Sequence, residues 1–203
     1  LINGSPHRKG NTFIALSEVA GALEKEGVQT EIIQLGIKAV QGCIACNKCA
    51  ELGHCVFQDT LYNQVREAFP TRRSSDLGED WMLWMEALQE ADGIVVGSPV
   101  YYAGPNGALC ALLDRVFYSC SELLAYKAGA SVAVCRRGGA SATFDRLNKY
   151  FTILNMPVVS SQYWNSVHGM RPGEATEDAE GLQTMRMLGR NMALLLKGVK
   201  REE

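Results

Sequence analysis

Apolar positions along this chain fall into two kinds of run. The short ones are rich in branched residues. Residues 28–35 (VQTEIIQL) alternate apolar and polar, while 93–98 (GIVVGS), 130–135 (ASVAVC) and 156–159 (MPVV) are almost continuously apolar. Alternation predicts a half-buried strand, and a continuous run predicts a parallel strand covered on both faces. Leu1 and Ile2 run straight into Asn3-Gly4-Ser5 and read as the tail of a strand whose first residues precede Leu1, so the sequence is expected to be truncated at its N-terminus. The longer runs have helical spacing. Residues 11–26 carry Phe13, Ile14, Leu16, Val19, Ala20 and Leu23, 106–117 and 141–151 follow the same pattern, and 177–197 carries Leu182, Met185, Leu188, Leu194 and Leu195. Five strands alternating with helices predict the α/β class: a doubly wound, five-stranded parallel sheet with helices on both faces, forming a single domain over 1–203. In such sheets ligands bind outside the carboxyl ends of the strands.

One stretch breaks the alternation. Residues 69–77 (FPTRRSSDL) resemble the translation of a sequencing-library adapter, and 59–69 and 80–91 each offer a helix where the fold needs one. About 60–79 is therefore expected to be a sequencing artefact or a duplicated helix, and Arg72 and Arg73 are assigned no function.

Composition narrows the function classes. Of 203 residues, 47% are hydrophobic and 21% charged, as in an ordinary folded chain. Twenty Lys and Arg against 22 Asp and Glu leave a net charge of −2, which argues against a nucleic-acid partner held by phosphate electrostatics. No apolar run approaches the ~18–20 residues a membrane span requires, so no membrane partner is expected. No export pattern is read, and the cytoplasm is the expected compartment. Seven cysteines are the one unusual count. Cys110, Cys120 and Cys135 lie in apolar context and read as small core residues, whereas Cys43, Cys46, Cys49 and Cys55 crowd one short stretch.

The loop after the first strand opens the first helix. Its Ser5 and Thr12 hydroxyls, Asn11 amide and backbone N–H groups suit a phosphate at a helix N-terminus, with Arg8 and Lys9 adding charge. GxxxxGK[ST] and GxGxxG are both absent, so the monophosphate of flavin mononucleotide (FMN) fits better than a nucleoside triphosphate or a dinucleotide.

These segments together resemble the flavodoxin-like NAD(P)H-dependent FMN reductases, a family that includes iron–sulfur flavoproteins. Residues 4–12 resemble the family's GSPRxxGNT phosphate loop, 97–104 its second flavin loop, 114–118 the end of the following helix, and 136–140 the segment at the flavin edge. The resemblance runs from residue 2 to about 197, except near 60–79. One departure is His7, which stands where the family usually has Arg. The resemblance implies that Ser5, His7, Arg8, Asn11 and Thr12 hold the phosphate. It implies that Pro99, Val100, Tyr101, Tyr102 and Gly104 lie along the isoalloxazine edge, and that Arg136, Arg137, Gly138 and Gly139 face the pyrimidine carbonyls. It further implies hydride transfer from the pyridine nucleotide NAD(P)H through FMN to a flavin, quinone or similar small-molecule acceptor. No catalytic side chain is required for that transfer, and a homo-oligomer is implied as well. No motif distinguishes NADH from NADPH. Residues 160–169 place Trp164 and His168 beside either a substrate or a subunit interface.

The cysteines keep three readings open. C-x2-C-x2-C places three thiolates within a small radius, and Cys55 completes four, a spacing that resembles the [4Fe–4S] motif of the iron–sulfur flavoproteins. Four thiolates also suit zinc, though zinc sites usually use two separated pairs. The third reading is a set of unligated thiols. With a cluster, the alternative function is an electron carrier between protein partners, reduced by a ferredoxin-type donor.

Overall fold

The structure, a computed structural model, describes residues 1–52, 55–57, 88 and 90–198. Residues 60–79 and the competing helical segment 59–69 lie outside the described residues, as does 80–91 except for Leu88, Glu90 and Ala91.

The sheet contains β1 (Ile2–Asn3), β2 (Ile33–Gln34), β3 (Gly93–Tyr101), β4 (Gly104–Pro105), β5 (Ala128–Cys135) and β6 (Ser166–His168). Its order is β2-β1-β3-β5-β6, with β4 paired only to β3. The five strands of that path are parallel, and β4 is antiparallel. Taken in chain order without β4, the parallel strands run 2-1-3-4-5, the doubly wound order with one reversal, between β1 and β3.

The helices are α1 (Asn11–Lys25), α2 (Cys49–Leu52), α3 (Gly107–Ser119), α4 (Ser121–Leu124), α5 (Ala140–Ile153) and α6 (Ala179–Gly198), with one 3-10 turn at Glu174–Glu177. They cover both faces because the central strands are apolar on both. Ile94 and Val96 of β3 join the core formed with Leu109, Leu112 and Val116 of α3 and Leu147 and Phe151 of α5. Val95 and the Ala128, Ala130, Val132 and Val134 side of β5 join the opposite core, with Leu16 and Val19 of α1 and Met185 and Leu188 of α6. Helices α1 and α6 pack closely at Gly189, where a Cβ would stand 2.6 Å from the Val19 carbonyl oxygen and 2.7 Å from Ala22 Cβ.

Two strands differ from their sequence pattern. Of 28–35 only Ile33–Gln34 pairs, bonded to β1 through Ile33 N–H to Leu1 O (2.8 Å) and Leu35 N–H to Asn3 O (2.9 Å). The fifth strand was expected at 156–159. There the chain makes only an isolated bridge from Val158 to Gly129, and the strand itself is Ser166–His168, beside Ala133–Cys135. Both pieces run along β5. Eight residues from Val158 to Ser166 span the four from Gly129 to Ala133, so the edge strand is interrupted by an outward excursion. Periodicity cannot reveal this, because the second piece (SVH) is too short and too polar to register.

Candidate functional site

The loop leaving β1 is folded by its own side chains. The buried Asn3 donates Nδ2–H to Gln34 Oε1 (2.6 Å) and accepts from Ser5 N–H (3.1 Å), Ser5 Oγ accepts from His7 N–H (3.1 Å), and Gln34 Nε2 donates to Ser5 O (2.5 Å). These short Asn and Ser turns reverse the chain before α1. Gly10 caps α1 without a side-chain hydrogen bond. The first N–H groups of a helix have no intrahelical partner, so this end is suited to an anion. Ser5 and Thr12 are buried here, and His7, Arg8 and Lys9 are exposed around them.

Asn11 bonds to a second loop. Its Nδ2 donates to Arg171 O (2.9 Å), and its Oδ1 accepts from Gly173 N–H (3.0 Å) and Ala175 N–H (3.2 Å). These bonds tie the 169–175 loop to the start of α1.

The end of β3 forms the second wall. Gly4 N–H donates to Gly97 O (2.8 Å), holding the first loop to β3. Ser98 Oγ accepts from Asn106 N–H (2.9 Å). Asn106 donates Nδ2–H to Gly4 O (2.8 Å) and accepts from Ala108 N–H (3.0 Å), capping α3. Between them β3 turns into β4 through a two-residue hairpin pairing Tyr101 with Gly104. Its central residues, Tyr102 (φ 50°) and Ala103 (φ 58°), are both left-handed. Asn-Gly is usual in that mirror-image turn, so two residues with ordinary side chains make it strained. Tyr102 is fully exposed and Tyr101 about half exposed (47%).

The third wall is the loop after β5. Gly139 (φ 86°) starts α5, and a Cβ there would stand 2.9 Å from Ala103 Cα and 3.0 Å from Val100 Cγ1. The 136–139 loop is thus pressed against the hairpin, and Arg136, Arg137 and Gly138 are exposed beside it. Three loops from β1, β3 and β5 therefore meet at the carboxyl edge of the sheet. Sequence reading missed the residues that join them, Asn106 and Ser98. The signal for Asn106 was present, since an Asn directly before an amphipathic helical pattern is a helix cap.

At the edge strand, His168 and Asp178 form a pair. Asp178 Oδ2 accepts from His168 N–H (2.7 Å) and lies 3.1 Å from its Nδ1, while Oδ1 accepts from Gly181 N–H (2.9 Å). Tyr163 and Trp164 are exposed and in ring contact, with centroids 5.3 Å apart.

The four clustered cysteines lie apart from this site, against the far end of α3. Cys43, Cys46, Cys49 and Cys55 line one small cavity with Phe57, Arg115 and Tyr118. Among the described residues no three Cys, His, Asp or Glu side chains stand close enough to hold a metal ion. The cavity gathers the four thiols without drawing their sulfurs into ligating geometry. Tyr118 donates its hydroxyl to Asn47 Oδ1 (2.8 Å), and Ala45 (φ 52°) and Asn47 (φ 56°) give the loop its tight turns. Arg115, on α3, is only 1% exposed and donates from Nε to Cys55 Sγ (3.3 Å). Neighbouring Cys120 is buried, and burial above all pushes its thiol up to about 11. It and the buried Cys135 are core residues, as their apolar context predicts, while Cys110 is half-buried. A wider cavity bounded by Leu1, Gly93 and Met192 opens at the opposite, amino ends of the strands, away from these loops.

The fold and the three-loop site define a flavodoxin-like flavoprotein. Residues 1–170 match the family described as NADPH-dependent FMN reductase, and the chain belongs to it. An iron–sulfur flavoprotein of Methanocaldococcus jannaschii is 34% identical over 208 residues, covering 98% of this chain and 97% of its own. Another, from Methanosarcina thermophila, is 26% identical over 204 residues, covering 98% and 95%. Among solved structures, RosB with bound 8-demethyl-8-formylriboflavin-5'-phosphate gives a TM-score of 0.65 at 16% identity, covering 97% of this chain and 77% of that one. A WrbA-like flavodoxin of Agrobacterium tumefaciens gives 0.58 at 16%, covering 93% and 91%. These two likenesses concern the fold. Among the described residues no helix is long and apolar enough to cross a membrane.

Proposed function

We propose that this chain is an FMN-dependent oxidoreductase that takes hydride from NAD(P)H and reduces a flavin, quinone or similar small-molecule acceptor. The observation that carries the reading is the meeting of three strand-end loops, with Gly139 packed on Ala103 and Asn106 bonded to Gly4. Bound FMN supplies the hydride chemistry and can pass electrons on singly or in pairs. The chain's own residues supply placement. Ser5, Thr12 and the uncapped start of α1 receive the phosphate, with Arg8 and Lys9 adding charge and His7 exposed beside them. Pro99 to Gly104 and Gly138 to Gly139 offer a backbone edge. Arg136 and Arg137 bring positive charge, which favours an anionic reduced cofactor. The working unit is proposed to be a homo-oligomer.

A second reading is favoured by one observation, the four cysteines around a single cavity. A donor set of four thiols fits a thiolate-bound [4Fe–4S] cluster in kind. With it the protein would carry electrons between protein partners, accepting them from a ferredoxin-type donor. Anaerobic purification with FMN, iron and sulfide quantified together, followed by NADH and NADPH oxidation assays, separates the two. Steady pyridine-nucleotide oxidation supports the first reading. Reduction only by a protein donor, in a preparation holding four irons per chain, supports the second. A preparation with flavin but no iron refutes the cluster.

A further inference from the structure

We propose that Arg115 is the positioning residue of the cysteine cavity: it clamps both ends of the cysteine segment onto α3 and fixes Cys55 as the fourth sulfur donor. This rests on the reading of the cavity as a thiolate-bound metal site.

The guanidinium reaches two separate stretches of chain. Nη1 donates to Gln41 O (3.2 Å), Nη2 to Phe57 O (2.5 Å) and Nε to Cys55 Sγ (3.3 Å), and the group lies over the Phe57 ring at 5.5 Å from its centroid. Gln41 precedes Cys43 by two residues and Phe57 follows Cys55 by two, so one side chain closes the loop carrying all four sulfurs. Only a planar fork with several fixed N–H groups can serve these directions at once, and a lysine ammonium cannot. Burying a guanidinium is unfavourable unless it is well hydrogen-bonded, and these bonds meet that need. Nε is directed at Cys55 Sγ, and N–H groups directed at ligand sulfur raise a cluster's reduction potential. A side chain that only stapled the loop would alter stability and leave that potential unchanged.

The test compares wild type, Arg115→Lys and Arg115→Met as full-length, FMN-containing proteins prepared without oxygen. Outer partners of metal ligands typically contribute 10–100-fold in metal affinity. Arg115→Lys is expected to lose iron to a competing chelator at 10–100-fold lower chelator concentration and to show a more negative cluster midpoint potential. Arg115→Met is expected to lose more. If Arg115→Met fails to retain FMN and so to fold, Arg115→Lys decides alone. A folded Arg115→Lys protein with wild-type chelator resistance and potential overturns the proposal. If wild type itself holds no iron, the cluster reading fails separately, and Zn2+ affinity of the same proteins decides: 10–100-fold weaker binding by Arg115→Lys supports the role, and equal binding overturns it.

Discussion

The side-chain amide of Asn106 donates to the carbonyl of Gly4 at 2.8 Å, joining the loop after β1 to the loop after β3 across 102 positions of sequence. The same side chain caps α3 by accepting from Ala108 N–H. One residue therefore sets both the spacing of the two proposed flavin loops and the start of the helix that leads to the cysteine cavity. Asn106→Asp keeps the capping acceptor and loses the donor. A net hydrogen bond contributes about 1 kcal/mol to stability, and the carboxylate would face the Gly4 carbonyl, so a loss of about that size and several-fold weaker FMN binding are expected. Asn106→Ala loses the cap as well and should cost about 1–2 kcal/mol of stability. Fluorescence titration of FMN and urea unfolding read the two effects separately. Equal FMN affinity in wild type and Asn106→Asp would show that the bond does not organise the site.

The hairpin at Tyr102 and Ala103 stores strain that a glycine releases. A left-handed backbone costs an L-residue roughly 1–2 kcal/mol. Glycine gives back part of that gain as unfolded-chain entropy. Ala103→Gly is expected to raise stability by somewhat under about 1 kcal/mol. Gly139→Ala works in the opposite direction, because its Cβ would meet the Ala103 backbone at 2.9 Å with φ at 86°. A loss of about 1–3 kcal/mol and weaker FMN binding are expected. Differential scanning calorimetry with and without FMN checks both variants, and a stabilised Gly139→Ala protein would contradict the close packing of the two loops.

Where the sequence was legible, one physical property acted locally. The continuous apolar runs at β3 and β5 predicted strands covered on both faces, and Ile94 and Val95 do enter opposite cores. Helices α1, α3, α5 and α6 fell within a few residues of their periodic patterns. The misses are tertiary. The interrupted edge strand is set by bonds from β5 to two short pieces, neither with a periodic signature of its own. Asn11 sits where a phosphate ligand belongs by spacing, and its bonds to a loop 160 and more positions away are ones no local pattern encodes. Arg115 lies three residues after Leu112, on the buried stripe of α3, a burial that its charge does not announce.

The Asn11 contacts carry their own prediction. Gly173 and Ala175 donate to Asn11 Oδ1, so Asn11→Ala should release both amides. Their hydrogen exchange is expected to accelerate, with stability reduced by about 1–2 kcal/mol. FMN affinity should fall less than in Thr12→Val, which removes the buried hydroxyl at the start of α1. The reverse order of affinities would return Asn11 to the phosphate.

Asp178 gives a dependence on pH. Partial burial is the largest single influence on its carboxyl and pushes it up, but hydrogen bonds from Gly181 N–H, His168 N–H and the His168 ring together outweigh it and hold the carboxyl below the ordinary value. The ordinary value for Asp is about 3.9. A folded-state value below the unfolded one means stability that is fully present above about pH 4 and lost as pH falls through the folded value. The charge also sits at the start of α6, where a carboxylate caps the helix and opposes its dipole. Asp178→Asn retains one capping oxygen and loses the charge. It is expected to be less stable than wild type by about 1 kcal/mol at pH 7, with the gap closing as pH falls below about 4 and the wild-type carboxyl is protonated. Urea unfolding of both proteins at pH 7, 5, 4, 3 and 2 measures that gap. A constant gap across the series would mean that the bonds to His168 and Gly181 depend on the shape of the side chain and not on its charge.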